Sequence, residues 1–231
     1  MITLCDVKEF YKKDIALAHI HSLNTAFGGS VLAPDIWVQN VNGEICAVIG
    51  RDSARLYIYS NEKETAELKA FINTVGFGEV FCSSSTAKCL GLNPKIEFSV
   101  LVKEQNGTLR KSPEGPLKEL YSGLLEGSDG DIDLPEFSAF APNISHRLRH
   151  NGAAAILNDI GAGVIFKFPF GGIVNGIAVK NNLRGKGLGS ALLSELLEFT
   201  NGDIFVCATN KNINFYIKNG FKVIDTAVIA R

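Results

Sequence analysis

Val179-Lys180-Asn181-Asn182-Leu183-Arg184-Gly185-Lys186-Gly187-Leu188-Gly189-Ser190-Ala191-Leu192-Leu193 is the stretch on which the reading of this sequence turns. Gly185, Gly187 and Gly189 alternate, after a run of β-formers and before a leucine-rich helical pattern. Glycine lets a chain turn tightly and approach a ligand with no Cβ in the way. The first amides of a helix lack internal partners and carry the positive end of the helix dipole. Backbone N–H groups from Gly185 to Ser190, including that of Leu188, are therefore placed to converge on phosphate oxygens. Arg184 and Lys186 add full positive charge, and no acidic residue lies between Val179 and Ser194. The competing reading is a plain glycine turn capping a core helix. Two other phosphate motifs fail here. A dinucleotide fingerprint spaces its glycines GxGxxG, and Ser190 stands where the third glycine belongs. A P-loop needs GxxxxGK[ST], which this stretch does not supply.

Working outward, Gly172–Val179 reads as a strand before the loop and 188–199 as a helix after it, with Leu192, Leu193, Leu196 and Leu197 on one face. Asn201-Gly202 stops that helix. A strand over 204–207, a short helix over 210–218 and a strand over 221–230 follow. Upstream, 153–157 and 163–168 read as strands, and 117–125 and 135–150 as helices separated by the acidic turn 127–133. The segment 103–116, with Asn106-Gly107, Pro113, Gly115 and Pro116, is the best linker in the chain. Before it, 14–24 and 62–74 read as helices, and 37–39, 44–49, 56–59, 79–82 and 96–102 as strands. The fold class is α+β, a mixed α/β pattern. We expect an N-terminal α/β domain over 1–110 and a second domain over 111–231.

The halves echo one another. Asn42-Gly43 precedes two strands, as Asn151-Gly152 does, and Gly78-Glu79-Val80-Phe81-Cys82 resembles Gly202-Asp203-Ile204-Phe205-Val206-Cys207. The matched glycines lie 35 positions apart in the first half and 50 in the second, room for one more strand and the glycine loop. Chance competes with duplication, because strand-turn-strand is common.

Composition narrows the function classes. Of 231 residues, 46% are hydrophobic and 20% charged, and the net charge is −1. That balance argues against general attraction to nucleic acid or an anionic membrane. The N-terminus lacks the apolar core of a secretory signal, and no apolar run reaches the roughly 18 residues a membrane span needs. The expected location is the cytoplasm. Five cysteines are scattered with no CxxC pair, so no zinc or redox motif is read and no metal site is expected. Cys46, Cys82 and Cys207 read as small core residues.

Arg184-x-x-Gly187-x-Gly189 resembles the R/Q-x-x-G-x-G/A signature of the GCN5-related N-acetyltransferase (GNAT) family. Gly176-Ile177-Ala178-Val179 is similar to that family's fourth strand, and Asn214-Phe215-Tyr216-Ile217-Lys218-Asn219-Gly220-Phe221 to its late FYxKxGF segment. The resemblance covers about residues 140–231. It implies a GNAT-like central mixed sheet flanked by helices, with the N-terminal half as a smaller α/β domain, a degenerate GNAT-like repeat on the duplication reading. It further implies acetyl-CoA as cosubstrate. The backbone of Ile177, Ala178 and Val179 would pair with pantetheine amides, one strand N–H would face the thioester oxygen, and the glycine loop would hold the pyrophosphate. Tyr216 matches the general acid that protonates the departing thiolate; a phenol is protonated at neutral pH. The family often has asparagine seven residues before the tyrosine. Here that residue is Thr209, with Asn210 and Asn212 as neighbours able to serve instead. The proline usual after the fourth strand is Asn181.

The implied activity is acyl-CoA-dependent N-acyl transfer, acetyl to a primary amine by direct attack. The alternative is a non-catalytic acyl-CoA-binding regulatory module. No acidic residue in 172–179 offers a general base. His146 and His150, at i, i+4 on a helix, could line an acceptor site, though a solvated basic face is the plainer reading. The N-terminal half is open to three jobs: covering the acceptor cleft, forming a homodimer surface, or completing the core.

Overall fold

The computed structural model describes residues 1–4, 10–107, 109, 115–128 and 134–231. Much of the 103–116 linker, and most of the 127–133 turn, lie outside the described residues. By contacts the chain divides into two compact units, one of Met1–Val102 with Cys207–Arg231 and one of Lys103–Val206. Each contains both parallel and antiparallel strands flanked by helices, as expected of the fold class.

The first unit opens with β1 (Ile2–Leu4), α1 (Ile15–Phe27), β2 (Asp35–Val41), β3 (Glu44–Asp52) and β4 (Arg55–Ser60), followed by α2 (Thr65–Val75), β5 (Glu79–Ser83), α3 (Ser84–Leu90) and β6 (Pro94–Gln105). β1 to β4 pair antiparallel in sequence order. β4 then pairs parallel with β5 across the α2 crossover. The last strand of the chain, β11 (Lys222–Ala230), lies antiparallel between β5 and β6. The C-terminal residues thereby join the first unit, whereas the sequence reading kept 111–231 together. Ile49, Leu56, Ile58, Leu68, Ile72 and Val228 are fully or almost fully buried in one cluster formed with α2 and α3. Burying such side chains contributes about 1.5–3 kcal/mol each. α1 is started by Asp14, whose Oδ1 accepts the Leu17 N–H at 2.8 Å. α3 goes unseen in the sequence because Ser83-Ser84-Ser85-Thr86 reads as a loop. Ser83 Oγ caps it by accepting the Thr86 N–H at 3.1 Å, and Gly91 ends it at φ +69.

The second unit contains α4 (Leu117–Ser128), α5 (Phe137–Arg149), β7 (Ala153–Leu157), β8 (Gly161–Phe168), β9 (Gly171–Val179), a short 3-10 turn at Asn181–Leu183, α6 (Leu188–Leu197) and most of β10 (Gly202–Ala208). β7, β8 and β9 pair antiparallel, and β9 pairs parallel with β10 across the α6 crossover. Strand alternation sorts the two faces. Ala162, Val164 and Ala178 pack with Leu120, Leu124 and Phe140 of α4 and α5. Gly163 turns the other way, where a Cβ would stand 3.2 Å from Leu196 of α6. α4 ends hard against β9: a Cβ on Gly127 would lie 2.6 Å from that of Ala178. α7 (Ile213–Lys218) leads into β11 in the first unit. Among the described residues, no helix is long and apolar enough to cross a membrane.

Candidate acyl-CoA site

β9 is regular where it meets β10 and irregular beyond. The β9–β10 ladder runs from Gly171–Asp203 to Ile173–Phe205 and stops there among the described residues, although β9 continues to Val179. On its other edge β9 stays paired with β8 throughout, with one register shift: Ile165 faces Val174 but Val164 faces Gly176. Asn175 is thus the extra residue of a β-bulge, and it is exposed. A bulge bends a strand and increases its twist, which accounts for β9 leaving its parallel neighbour at this point. From the bulge to Val179 one backbone edge of β9 is open to an extended ligand. Ile177, Ala178 and Val179 lie on this stretch.

The glycine loop follows directly. Gly185 and Gly187 have φ of +73 and +76. A Cβ at either would meet nothing within 4 Å, so glycine is required there by backbone conformation rather than by space. Gly187 is the N-cap of α6 and no side chain caps the helix. Gly189 is already helical, so only two of the three alternating glycines make the turn. Residues 184–187 and Ser190 are exposed. Lys186 Nζ donates to Asn182 O at 3.3 Å. Arg184 is tied more firmly than expected: its Nε donates to Val179 O at 3.3 Å and its Nη2 to Gly127 O. The guanidinium thus fastens the loop to the end of β9 and to α4. Its closeness to Gly127, 57 residues away, could not be read from the sequence.

Tyr216 lies on α7 in the first unit and is 8% exposed. Phe215 and Phe221 meet its ring edge-on, with centroids 5.0 and 5.6 Å away. Burial, reinforced by the neighbouring Cys207, pushes its hydroxyl up to about 12, so it holds its proton across the physiological range. Asn210 is exposed in the turn before α7, and Asn212 N–H donates to Thr209 O at 2.9 Å. The orphan here is Thr209, whose Oγ1 is buried with no hydrogen-bond partner. A buried hydroxyl without a partner costs about 1–3 kcal/mol and is a natural contact for a bound polar group. The sequence comparison marked this position only as a departure. His146 of α5 and His150, which caps that helix, have ring centroids 4.3 Å apart, and His150 is exposed. Among the described residues no group of three metal-ligating side chains occurs.

The first unit contains a second strand–loop–helix of the same build. β4 leads through Asn61-Glu62-Lys63-Glu64 into α2, and β5 then pairs parallel with β4, just as β10 does with β9. The echoing segments at 78–82 and 202–207 fall on these equivalent strands. Glu62 (φ +66) and Glu64 (φ +52) take left-handed backbone where the other loop has Gly185 and Gly187, and Glu64 is likewise the N-cap. The chemistry is reversed. Two carboxylates replace two glycines, Ser60 Oγ accepts the Glu62 N–H at 2.9 Å, and Asn61 Oδ1 accepts the Lys63 N–H at 3.0 Å. Lys63 itself is held by both carboxylate oxygens of Glu44 at 2.9 Å. Two of this loop's amides are engaged by its own side chains, and its carboxylates oppose an anion.

Residues 150–223 match the family model of the acetyltransferase (GNAT) domain. That match spans about a third of the chain, in its C-terminal part. Among solved structures, the chain is similar to a GCN5-related N-acetyltransferase from Kribbella flavida, with 17% identity and a TM-score of 0.57, over 95% of this chain and 96% of that one. It is similar to another from Sphaerobacter thermophilus, with 15% identity and a TM-score of 0.54, over 100% and 94%. A GNAT-family acetyltransferase from Colwellia psychrerythraea gives 12% identity and a TM-score of 0.50, over 100% and 98%. At such identities the likeness is one of fold. It extends over the N-terminal unit, which carries no motif of its own. No protein of curated function matches the chain in sequence.

Proposed function

We propose that this protein is an N-acetyltransferase that moves the acetyl group of acetyl-CoA to a primary amine by direct attack. The observation that carries the reading is the open edge of β9 beside an uncapped glycine turn at α6. The open backbone at Ile177–Val179 suits the pantetheine amides, and the amides from Gly185 to Ser190 with Lys186 suit the pyrophosphate. Arg184 adds its charge to the same anion site while its hydrogen bonds to Val179 and Gly127 hold the loop's shape. Asn210 and Asn212 are the proposed side-chain contacts to the cosubstrate, with the unpartnered hydroxyl of Thr209 beside them in the chain. In the reaction the amine nitrogen bonds to the thioester carbonyl carbon and the C–S bond breaks. The thiolate takes a proton from Tyr216, and a proton lost from nitrogen restores the phenol. A strand N–H stabilises the oxyanion. The proposed setting is the cytoplasm, with one acetyl-CoA per chain.

A specific observation favours a second reading, a non-catalytic acyl-CoA-binding module. Tyr216 is packed between two phenylalanines like an ordinary core aromatic. Tyr216→Phe separates the two. The enzyme reading expects unchanged CoA affinity with turnover reduced about 100-fold or more. Equal and very slow CoA release in both proteins, with no thiol formed by either, establishes the binder.

A further inference from the structure

We propose that Gly127, in the last turn of α4, is a positioning residue for the cosubstrate: by holding Arg184 it sets the glycine turn against the open edge of β9. This inference rests on the acyl-CoA reading of that site above. Its residues all belong to the second unit. Lys180 N–H donates to Ile160 O at 3.0 Å, so the backbone of Lys180 faces the β8 side. Backbone groups alternate sides along a strand, which turns the N–H and C=O of Val179 and Ile177 toward the open edge. Val179 ends β9, so its carbonyl is the last on that edge, and it accepts from Arg184 Nε at 3.3 Å. Arg184 Nη2 donates to Gly127 O. A guanidinium is a rigid planar fork, so two fixed N–H groups fix its plane. The charge this loop offers an anion is therefore placed by β9 on one side and by α4 on the other.

Two properties of Gly127 make this joint possible. Its carbonyl is among the last of α4, which have no partner inside the helix and carry the negative end of its dipole. A cation is favoured there, and Arg184 supplies it. The second property is the missing side chain. Glycine is a poor helix former, and Gly127 has no left-handed φ to require it. What glycine provides here is close approach. A Cβ would stand 2.6 Å from that of Ala178 and 3.1 Å from Val179 O, the carbonyl that Arg184 holds. An added methyl thus moves the end of α4 off β9 and draws the Gly127 carbonyl away from the guanidinium. Gly123, one turn earlier, makes the comparison. Its Cβ would lie 3.1 Å from that of Ala162 in β8 and 3.5 Å from Leu157 in β7, and β9 is not among its close neighbours.

Gly127→Ala is measured beside Gly123→Ala, which makes the same change in the same helix. We expect Gly127→Ala to raise the acetyl-CoA Kd by calorimetry, and the acetyl-CoA KM with the best of a panel of primary amines, by about 10-fold or more, with kcat within about 3-fold of wild type. Gly123→Ala should leave all three within about 3-fold. In an Arg184→Lys background the charge stays and the fork is lost. There Gly127→Ala should add less than about 3-fold to the Kd, because residues joined by one bond do not act additively. An unchanged Kd in Gly127→Ala, an equal loss in Gly123→Ala, or full additivity with Arg184→Lys each overturns the proposal. Hydrogen exchange on the wild-type protein tests it with no substitution. Acetyl-CoA should slow the amides of the last α4 turn together with those of residues 185–190, and slowing confined to 185–190 overturns the proposal. If acetyl-CoA neither binds to wild type by calorimetry nor raises its melting temperature, the acyl-CoA reading fails, and this inference with it.

Discussion

Tyr216 and Asp14 both have their protonation shifted by burial, and the proposed chemistry depends on the first. Tyr216 works as an acid, so activity needs its protonated form and declines only as pH rises through its raised value near 12. No falling limb of kcat is therefore expected below about pH 10, which a pH–rate profile with saturating amine checks directly. Asp14 carries a stability consequence. Its folded value, about 6 against an ordinary 3.8, means the folded protein binds this proton more tightly than the unfolded chain. Its contribution to stability is full below pH 3.8 and is lost as pH rises through 6. That gap corresponds to at most about 3 kcal/mol. Asp14→Asn should accordingly raise the melting temperature at pH 8 and leave it unchanged below pH 4, as thermal scans at both pH values will show. At this scale the sequence was legible only in part. Tyr216 was marked by its motif. Asp14 was not, because the burial that raises its carboxyl comes from the folded chain and not from its local sequence.

Among the elements, the two strand–loop–helix segments make a controlled comparison. Both loops place two left-handed residues before the helix, and only one has the glycines that suit them. Gly187→Ala should cost about 1–2 kcal/mol through its φ of +76 and weaken acetyl-CoA binding at least several-fold by calorimetry. Glu64→Gly should be stabilising by up to about 1 kcal/mol in denaturant titration, since it relieves the same backbone at the N-cap of α2. Neither change alters the expected stoichiometry of one acetyl-CoA per chain, because the first loop keeps the Glu62 and Lys63 amides engaged by Ser60 and Asn61 and retains the carboxylate of Glu62. The strands and helices around the glycine loop were readable because alternation and leucine spacing are local signals. The bulge at Asn175 was not, since it is defined by which residues of β8 face β9. Nor was the role of Arg184, whose partner Gly127 comes from a different helix.

For the whole molecule, the placement of β11 matters most. A division at 110/111 follows from the Pro- and Gly-rich linker, yet residues 207–231 join the first unit by pairing β11 with β5 and β6. Nothing local in Lys222–Ala230 specifies partners more than 100 residues earlier. A fragment from Pro116 to the C-terminus therefore loses both neighbours of β11, and we expect no cooperative thermal transition from it. Retained folding with acetyl-CoA binding would show that the sequential halves are independent after all. The central claim is that the open β9 edge and its glycine turn hold acetyl-CoA for transfer to an amine. Free thiol released from acetyl-CoA by the intact protein across a panel of primary amines tests it most directly. The account predicts saturable, amine-dependent thiol release that Tyr216→Phe lowers about 100-fold or more without loss of CoA binding; the absence of both thiol release and any acetyl-CoA-dependent rise in melting temperature would contradict it.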